Sequence, residues 1–282
     1  MDVHILVVPY DTARRGWRSG AGPEHLIAFG LVTHLKSRGH SVANVQVIDD
    51  DQDQSPAEIR TAFELARRLS IAVRSARMAG GFPLVLSGNC NSALGTLSGL
   101  TPARRSIFWF DAHGDCNTPD TTSSGFLDGT GLAMALGWCW RGLTATVPGY
   151  QSVAPAATFL VGVRDLDAAE AALIAASAIT SVSSDQVPAG LLDLPASDSL
   201  EETLGYLHID LDVLDPAVGQ ANSLPVPGGL TVDQLTAAIA AIKSRVTLGA
   251  AAITSYAPEY DTDEAVRRGA FAAIDAILGS AQ

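Results

Sequence analysis

The sequence predicts an α/β fold organised around a parallel sheet. Three observations carry this. Strand-length apolar runs alternate with longer helical patterns along the whole chain, most runs are continuously apolar, and long polar loops follow several of them. A continuously apolar strand is what a sheet requires when helices cover both of its faces. The loops at 116–125 and 215–229 lie where open α/β sheets bind ligands, beyond the carboxyl ends of strands.

Taken in order, HILVVPY at 4–10 reads as the first strand. PEHLIAFGLVTHLKSRG follows as a helical segment that Pro23 starts and Gly39 ends. VQVIDD (45–50) is the next strand, before the helical stretch SPAEIRTAFELARRLSIAVRSARMAGG, opened by Ser55-Pro56 and closed by Gly80-Gly81. PLVLS (83–87), SIFWFD (106–111), TFLVGV (158–163), YLHIDLD (206–212) and GAAAITS (249–255) are further strands. DEAVRRGAFAAIDAILGSAQ supplies a last helix. No repeat, low-complexity segment or visible boundary divides the chain, so the expectation is a single domain over residues 1–282.

Composition narrows the function. Hydrophobic residues are 47% and charged residues 17%, enough to bury a sizeable core and to exclude disorder. The net charge of −12 argues against a nucleic-acid backbone or an anionic membrane surface as partner. No apolar run approaches the ~18 residues of a membrane span. The chain enters its first strand without a basic leader, and its three cysteines form no C-x-x-C pair, so a cytoplasmic, reducing setting is expected.

Two acidic motifs carry the chemistry. In WFDAHGD, Asp111, His113 and Asp115 alternate, which would place them on one side at the end of a strand. Two carboxylates and an imidazole facing one point are costly to bury unless a cation compensates them. A polar loop with a capping aspartate is the plainer alternative. In HIDLDVLDP (208–216), His208, Asp210 and Asp212 share one phase before Asp215-Pro216 ends the run. The two motifs together hold enough oxygen and nitrogen donors for two divalent ions. Such a pair lowers the pKa of water and holds it for attack. A third stretch, SGNCNSALG, follows PLVL and contains Cys90. A free cysteine is most often a small buried hydrophobe.

Asp-Ala-His-x-Asp followed by Asp-x-Asp-x-x-Asp-Pro resembles the paired signature of the ureohydrolases, the arginase and agmatinase superfamily. GAGPEHL, VGVRDLDAAE (161–170) and LPVPGGLT (224–231) are similar to further segments of that family, so the resemblance covers nearly the whole chain. It implies a three-layer α/β/α domain with an eight-stranded, mostly parallel sheet. It also implies a centre of two divalent metal ions, Mn²⁺ in the family, whose bridging hydroxide attacks a guanidinium carbon to release an amine and urea. Carried over by position, Asp111, Asp115 and Asp210 would be shared or bridging ligands, and His113 and Asp212 would serve one metal. Asp115 would also accept the proton after attack. His208 would orient a ligand carboxylate from behind.

The departures are as informative. Cys90 stands where the family has a ligand histidine, and a thiolate is a competent, softer ligand. That turns Cys90 from a core thiol into a candidate sixth ligand, while Cys116 and Cys139 remain packing residues. A softer ligand shifts preference from Mn²⁺ toward Zn²⁺, Co²⁺ or Ni²⁺. In NTPDTTSSGFLDG (117–129), Asn117 and Ser124 match carboxylate-reading positions of arginases, but the shuttle histidine is replaced by Asp128 and an asparagine by Phe126. Ser255 stands where arginases pair a glutamate with the guanidinium. Asp167 and Glu170 match residues near the substrate's α-amino group, although acids there also suit a helix N-terminus.

The combination is most similar to the Nω-hydroxy-L-arginine amidinohydrolase type, so the expected product is an amine with urea or hydroxyurea. The alternatives are an agmatinase-like amidinohydrolase for a non-amino-acid guanidine, and a catalytically silent metal-binding member. Ureohydrolases are often trimers or hexamers. The short stretch after the last helix leaves little tail for assembly, and the oligomeric state stays open.

Overall fold

The computed structural model describes residues 1–50, 57–100, 103–192 and 203–279. Eight strands form one sheet: β1 (Asp2–Val8), β2 (Ser41–Val47), β3 (Phe82–Ser87), β4 (Arg104–Phe110), β5 (Thr158–Val161), β6 (Thr180–Val182), β7 (Thr203–Asp210) and β8 (Thr247–Thr254). Their order is β2-β1-β3-β8-β7-β4-β5-β6, and every neighbouring pair is parallel. The sheet is therefore wholly parallel, where the resemblance implied a mostly parallel one.

Alternate residues of each central strand enter two separate cores, which makes the third layer. On one face, Ile5, Leu84, Leu86, Leu207, Ile209 and Ile253 pack under α1 (Gly22–Ala28), α2 (Leu31–Ser37), α7 (Val232–Lys243) and α8 (Ala265–Leu278). On the other, Leu6, Val85, Ile107, Trp109, Tyr206 and Ala252 pack under α3 (Glu58–Met78), α4 (Ala93–Gly99) and α5 (Gly131–Ala135). This double coverage is the physical source of the continuous apolar runs. Helix α6 (Ala168–Ala175) follows β5.

Several sequence expectations are corrected. The strand read from HILVVPY ends at Val8, and Tyr10–Asp11 instead pairs antiparallel with Arg14–Arg15 in a small ribbon. The single helical segment expected from Pro23 to Gly39 is two helices, because Gly30 takes a left-handed φ of +92° that a helix interior does not admit. The Ser55-Pro56 pair read as a helix opening lies outside the described residues. Strand β6 had no signal: it is three residues long at the sheet edge, and two of them are exposed.

Candidate active site

The four central strands β3, β8, β7 and β4 release their chains side by side at the carboxyl end of the sheet. The segments leaving these strands bring their side chains to one place. Cys90 follows β3 at the start of the Cys90–Ser92 turn that leads into α4. Ser255 follows β8, Asp210 ends β7 with Asp212 in the next turn, and Asp111, His113 and Asp115 follow β4. All of these side chains except the buried Asp111 line a cleft of about 210 Å³, where parallel sheets gather their ligands. Glycines let the loops close on it: a Cβ on Gly229 would meet Asp215 N at 2.5 Å, and one on Gly20 would meet Asp11 N at 2.9 Å.

The acids converge, but not by the route the sequence suggested. Strand β4 stops at Phe110 and β7 at Asp210, so strand alternation does not align Asp111–Asp115 or carry Asp212. Backbone hydrogen bonds at the strand ends do this instead. Asp111 accepts His113 N–H at 2.6 Å and Trp109 Nε1–H at 2.9 Å. Asp210 accepts Asp212 N–H at 2.9 Å, and Asp212 accepts Ala112 N–H at 3.1 Å and Asn222 Nδ2–H at 3.1 Å. Asp115 turns the chain with a left-handed φ of +48°, and its carbonyl accepts the N–H groups of Leu132 and Ala133 at 2.9 and 3.0 Å. A non-glycine residue held there marks a position that its surroundings over-determine.

Donor atoms of Asp111, His113 and Asp212 lie within 4.8 Å of one another, as do those of Cys90, Asp111 and His208. Asp111 belongs to both trios. Asp210 joins the cluster through Cys90, whose thiol donates to Asp210 Oδ2 at 3.0 Å and lies 3.3 Å from both Thr254 Oγ1 and Ser255 Oγ. Asp115 lines the cleft beside them.

His208, expected to orient a ligand carboxylate, is bonded elsewhere: its Nδ1 to Tyr206 OH at 2.9 Å and its Nε2 to Thr254 Oγ1 at 3.3 Å. It stacks on Trp109 with ring centroids 3.6 Å apart. Burial lowers its pKa to about 3, so it stays neutral.

The charge balance shows what the cluster needs. Burial, then the neighbouring Asp212, raises Asp111 to about 6, against the His113 contacts. Burial and adjoining acids push Asp115 and Asp210 well above the carboxylate range. Burial opposes the charge of His113, yet the carboxylates of Asp111 and Asp212 outweigh it and raise the imidazole to about 12. Hydrogen bonds from His113, Asn222 and Ala112 outweigh burial at Asp212 and hold it low. Burial and Asp210 raise the Cys90 thiol far above its usual value. Buried carboxylates that neighbouring acids push toward protonation are a donor set that divalent cations would relieve, and the residues fit them.

The rim is built differently. Asp167 precedes α6 and accepts from Asn117 Nδ2 at 3.2 Å and Ser123 Oγ at 3.2 Å. Ser124 is exposed on the same loop, 3.4 Å from Thr122 Oγ1. Glu170, in contrast, is buried, accepts Cys116 N–H at 2.7 Å and packs against Gly114. Arg164 braces the loops beneath the rim by donating to the carbonyls of Asp212 at 2.8 Å and Val226 at 2.8 Å.

Sequence reasoning did not single out Asp11, Asn89, Arg18, Asp165 or Asn222 as lining residues. Asn89 and Asp165 lie inside the quoted stretches SGNCNSALG and VGVRDLDAAE, and Asn222 sits in the turn-rich loop after the second acidic motif. Nothing in those stretches marked these residues themselves. Cys116 and Cys139 are buried and free, as packing residues should be.

Known proteins resemble this chain over most of its length. The arginase family profile matches residues 1–279. The arginase of Bacillus caldovelox is 30% identical over 249 residues, covering 81% of this chain and 82% of that protein. Rattus norvegicus arginase-1 is 31% identical over 251 residues, covering 81% and 76%. The solved structure of the Bacillus caldovelox arginase superposes with a TM-score of 0.87 at 26% identity, covering 99% of each chain. With that family match over nearly its whole length, and with the ligand cluster and cleft in place, the chain belongs to the arginase family and is a metal-dependent amidinohydrolase.

Proposed function

We propose that this enzyme hydrolyses the C–N bond of an arginine-like guanidino amino acid, with Nω-hydroxy-L-arginine its preferred substrate, giving an amine and hydroxyurea (urea from arginine itself). The observation that carries the reading is the floor of the cleft. There a thiol stands among the acids, and Ser255, not a carboxylate, lies 3.3 Å from it. A hydroxyguanidine is a weaker base than a guanidine and depends less on a full negative charge at that point, which suits a hydroxyl.

The residue roles come from position. Cys90, Asp111, His113, Asp115, Asp210 and Asp212 are the proposed donors for two divalent ions, Mn²⁺ in the first instance. When bound, the ions supply an activated water and polarise the reacting carbon. Asp115 faces the cleft from a strained, fixed backbone and takes the proton released on attack. Asn117, Ser124 and Asp167 read the amino-acid end at the rim. Glu170 lines the cleft there while holding the Cys116 N–H. The chain's own residues otherwise exclude water: Asp111 and His208 are buried, and Leu224 and Phe126 flank the mouth.

On this proposal residues 1–282 act as one cytoplasmic domain on a small molecule. No helix among the described residues is long and apolar enough to cross a membrane.

The test is an assay of the metal-loaded protein on arginine, Nω-hydroxy-L-arginine, agmatine and guanidinobutyrate. Hydroxyurea formed fastest from hydroxyarginine is the expected result. Turnover of agmatine above both amino acids makes the agmatinase-like alternative correct. Two equivalents of bound metal with no urea or hydroxyurea from any compound would leave a silent metal-binding member.

A further inference from the structure

Three buried carboxylates line the cleft outside the proposed ligand set: Glu170, which holds the Cys116 N–H, and Asp11 and Asp128, which one side chain holds together. Asn89, adjacent to Cys90, donates from Nδ2 to Asp128 Oδ2 at 2.9 Å and to Asp11 Oδ1 at 3.4 Å. Its Oδ1 accepts Thr12 N–H at 3.3 Å, so the amide is fixed from both ends. The second oxygen of Asp128 accepts Asn91 N–H at 2.9 Å. Asp128 is thus tied at two points to the same turn that carries Cys90.

The two acids differ in their cations. Asp11 has the Arg18 guanidinium 3.8 Å away, and Arg18 is the one lysine or arginine among the described lining residues. Among the described residues no lysine, arginine or histidine pairs with Asp128, which is only 8% exposed. A buried carboxylate with neutral partners alone is costly unless something cationic or richly donating reaches it. The cleft is open to it. Ser255 does not serve Asp128: its hydroxyl is neutral and lies 3.3 Å from Cys90 Sγ.

We propose that Asp128 is a carboxylate that accepts hydrogen bonds from the substrate's guanidino N–H groups, a contact additional to Ser255 and not a charge at its position. This rests on the proposed guanidino activity and adds a specificity residue to it. Asn89 is the positioning residue that presents Asp128, and Arg18 keeps Asp11 occupied so that Asp128 alone is available. Guanidino and hydroxyguanidino groups both direct N–H donors outward. A urea of the same length keeps N–H donors but is neutral and carries a carbonyl oxygen in place of one amino group, so it gains less from a carboxylate.

The experiment measures competitive inhibition of the metal-loaded enzyme by two arginine analogues of similar length. These are cationic Nω,Nω-dimethyl-L-arginine and neutral L-citrulline. Wild type is expected to bind the cation at least tenfold more tightly. Asp128→Asn should weaken the cation tenfold or more and leave citrulline within about twofold, with bound metal unchanged, while Asp128→Glu retains most of the preference. Asp11→Asn should change the ratio by less than about threefold. Should Asp128→Asn not fold, Asn89→Ala must still weaken the cation more than citrulline.

An Asp128→Asn enzyme that keeps the wild-type ratio, or weakens both analogues equally, overturns the proposal. So does an Asp11→Asn enzyme that loses the preference fully. A wild-type enzyme that binds neither analogue and releases no urea or hydroxyurea refutes the guanidino activity itself.

Discussion

At the base of the cleft, Asp111 and Asp210 accept backbone N–H groups from their own strand ends, and Asp212 accepts one from the neighbouring end of β4. At the rim, the carboxylate of Asp167 accepts from the side chains of Asn117 and Ser123 and is itself exposed. The floor is anchored to the sheet, and its acids repel one another when no cation is present. The rim is anchored to itself and costs little to disturb. The same protein thus keeps its chemistry on a rigid, electrostatically loaded element and its selectivity on loops, the usual division between scaffold and specificity. Four measurements break or sharpen this contrast.

The largest effect belongs to Asp111, which is in both donor trios. Asp111→Ala should cut turnover by at least about 10²-fold, the scale of losing a group that stabilises developing charge. Elemental analysis should find less than one metal equivalent per chain. An active variant with full metal content would show that the trios do not mark the metal centre.

Cys90→Ser comes next. Removing the soft donor should weaken metal binding about 10- to 100-fold and shift preference from Zn²⁺ toward Mn²⁺. Competition titration with a chromophoric chelator reads both quantities. Unchanged affinity and preference would return Cys90 to the core.

A third measurement, on wild-type protein, compares metal-stripped and metal-loaded forms across pH. Burial raises Asp111 to about 6 and Asp128 to about 7, while unfolded carboxyls titrate near ~4. These groups contribute stability that is present below about pH 4 and lost as pH rises through 6 to 7. Asp212, held low, acts in the opposite sense below the usual carboxylate range. His208, lowered from 6.5 to about 3, opposes the trend between those values, but the raised carboxyls, with Asp115 and Asp210 among them, outnumber it. The stripped protein should therefore melt at progressively lower temperature from pH 4 to 7, and added Mn²⁺ should flatten that slope. A stripped protein whose melting temperature rises over this range would contradict the charge balance of the floor.

The smallest effect is at the rim. Asp167→Ala should raise KM for an amino-acid substrate about tenfold, leave agmatine kinetics unchanged, and alter stability by no more than ~0.5 kcal/mol, as exposed sites generally do. A large loss of stability or metal would mean that the rim supports the floor.

The sequence foretold the two regions unequally. The interior strands were legible because helices bury both faces of the sheet there, and PLVLS, SIFWFD and GAAAITS therefore read as unbroken apolar runs. Edge strand β2 is largely exposed and overlaps its expected run only at 45–47, and edge strand β6, with two of its three residues exposed, carries no such pattern. The residues of the acidic motifs converge, but not for the local reason their spacing suggested. Strand alternation was the argument, whereas strand ends and backbone donors do the placing. Asn89 and Asn222 left no trace because a lone asparagine in a turn is ordinary, and only its partners make it structural.

By itself the sequence determined the parallel α/β architecture, the two acidic motifs and the thiol among them. Each is written locally, in the polarity and spacing of neighbouring residues. Only the tertiary structure decided that His208 turns to Thr254, that Glu170 holds a backbone N–H, and that Asp128 is tied to the Cys90 turn with no cationic side chain paired to it among the described residues. Those outcomes depend on which strand ends lie side by side in a sheet ordered β3-β8-β7-β4, and hydrogen bonds between residues 39 to 120 positions apart do not show in local pattern.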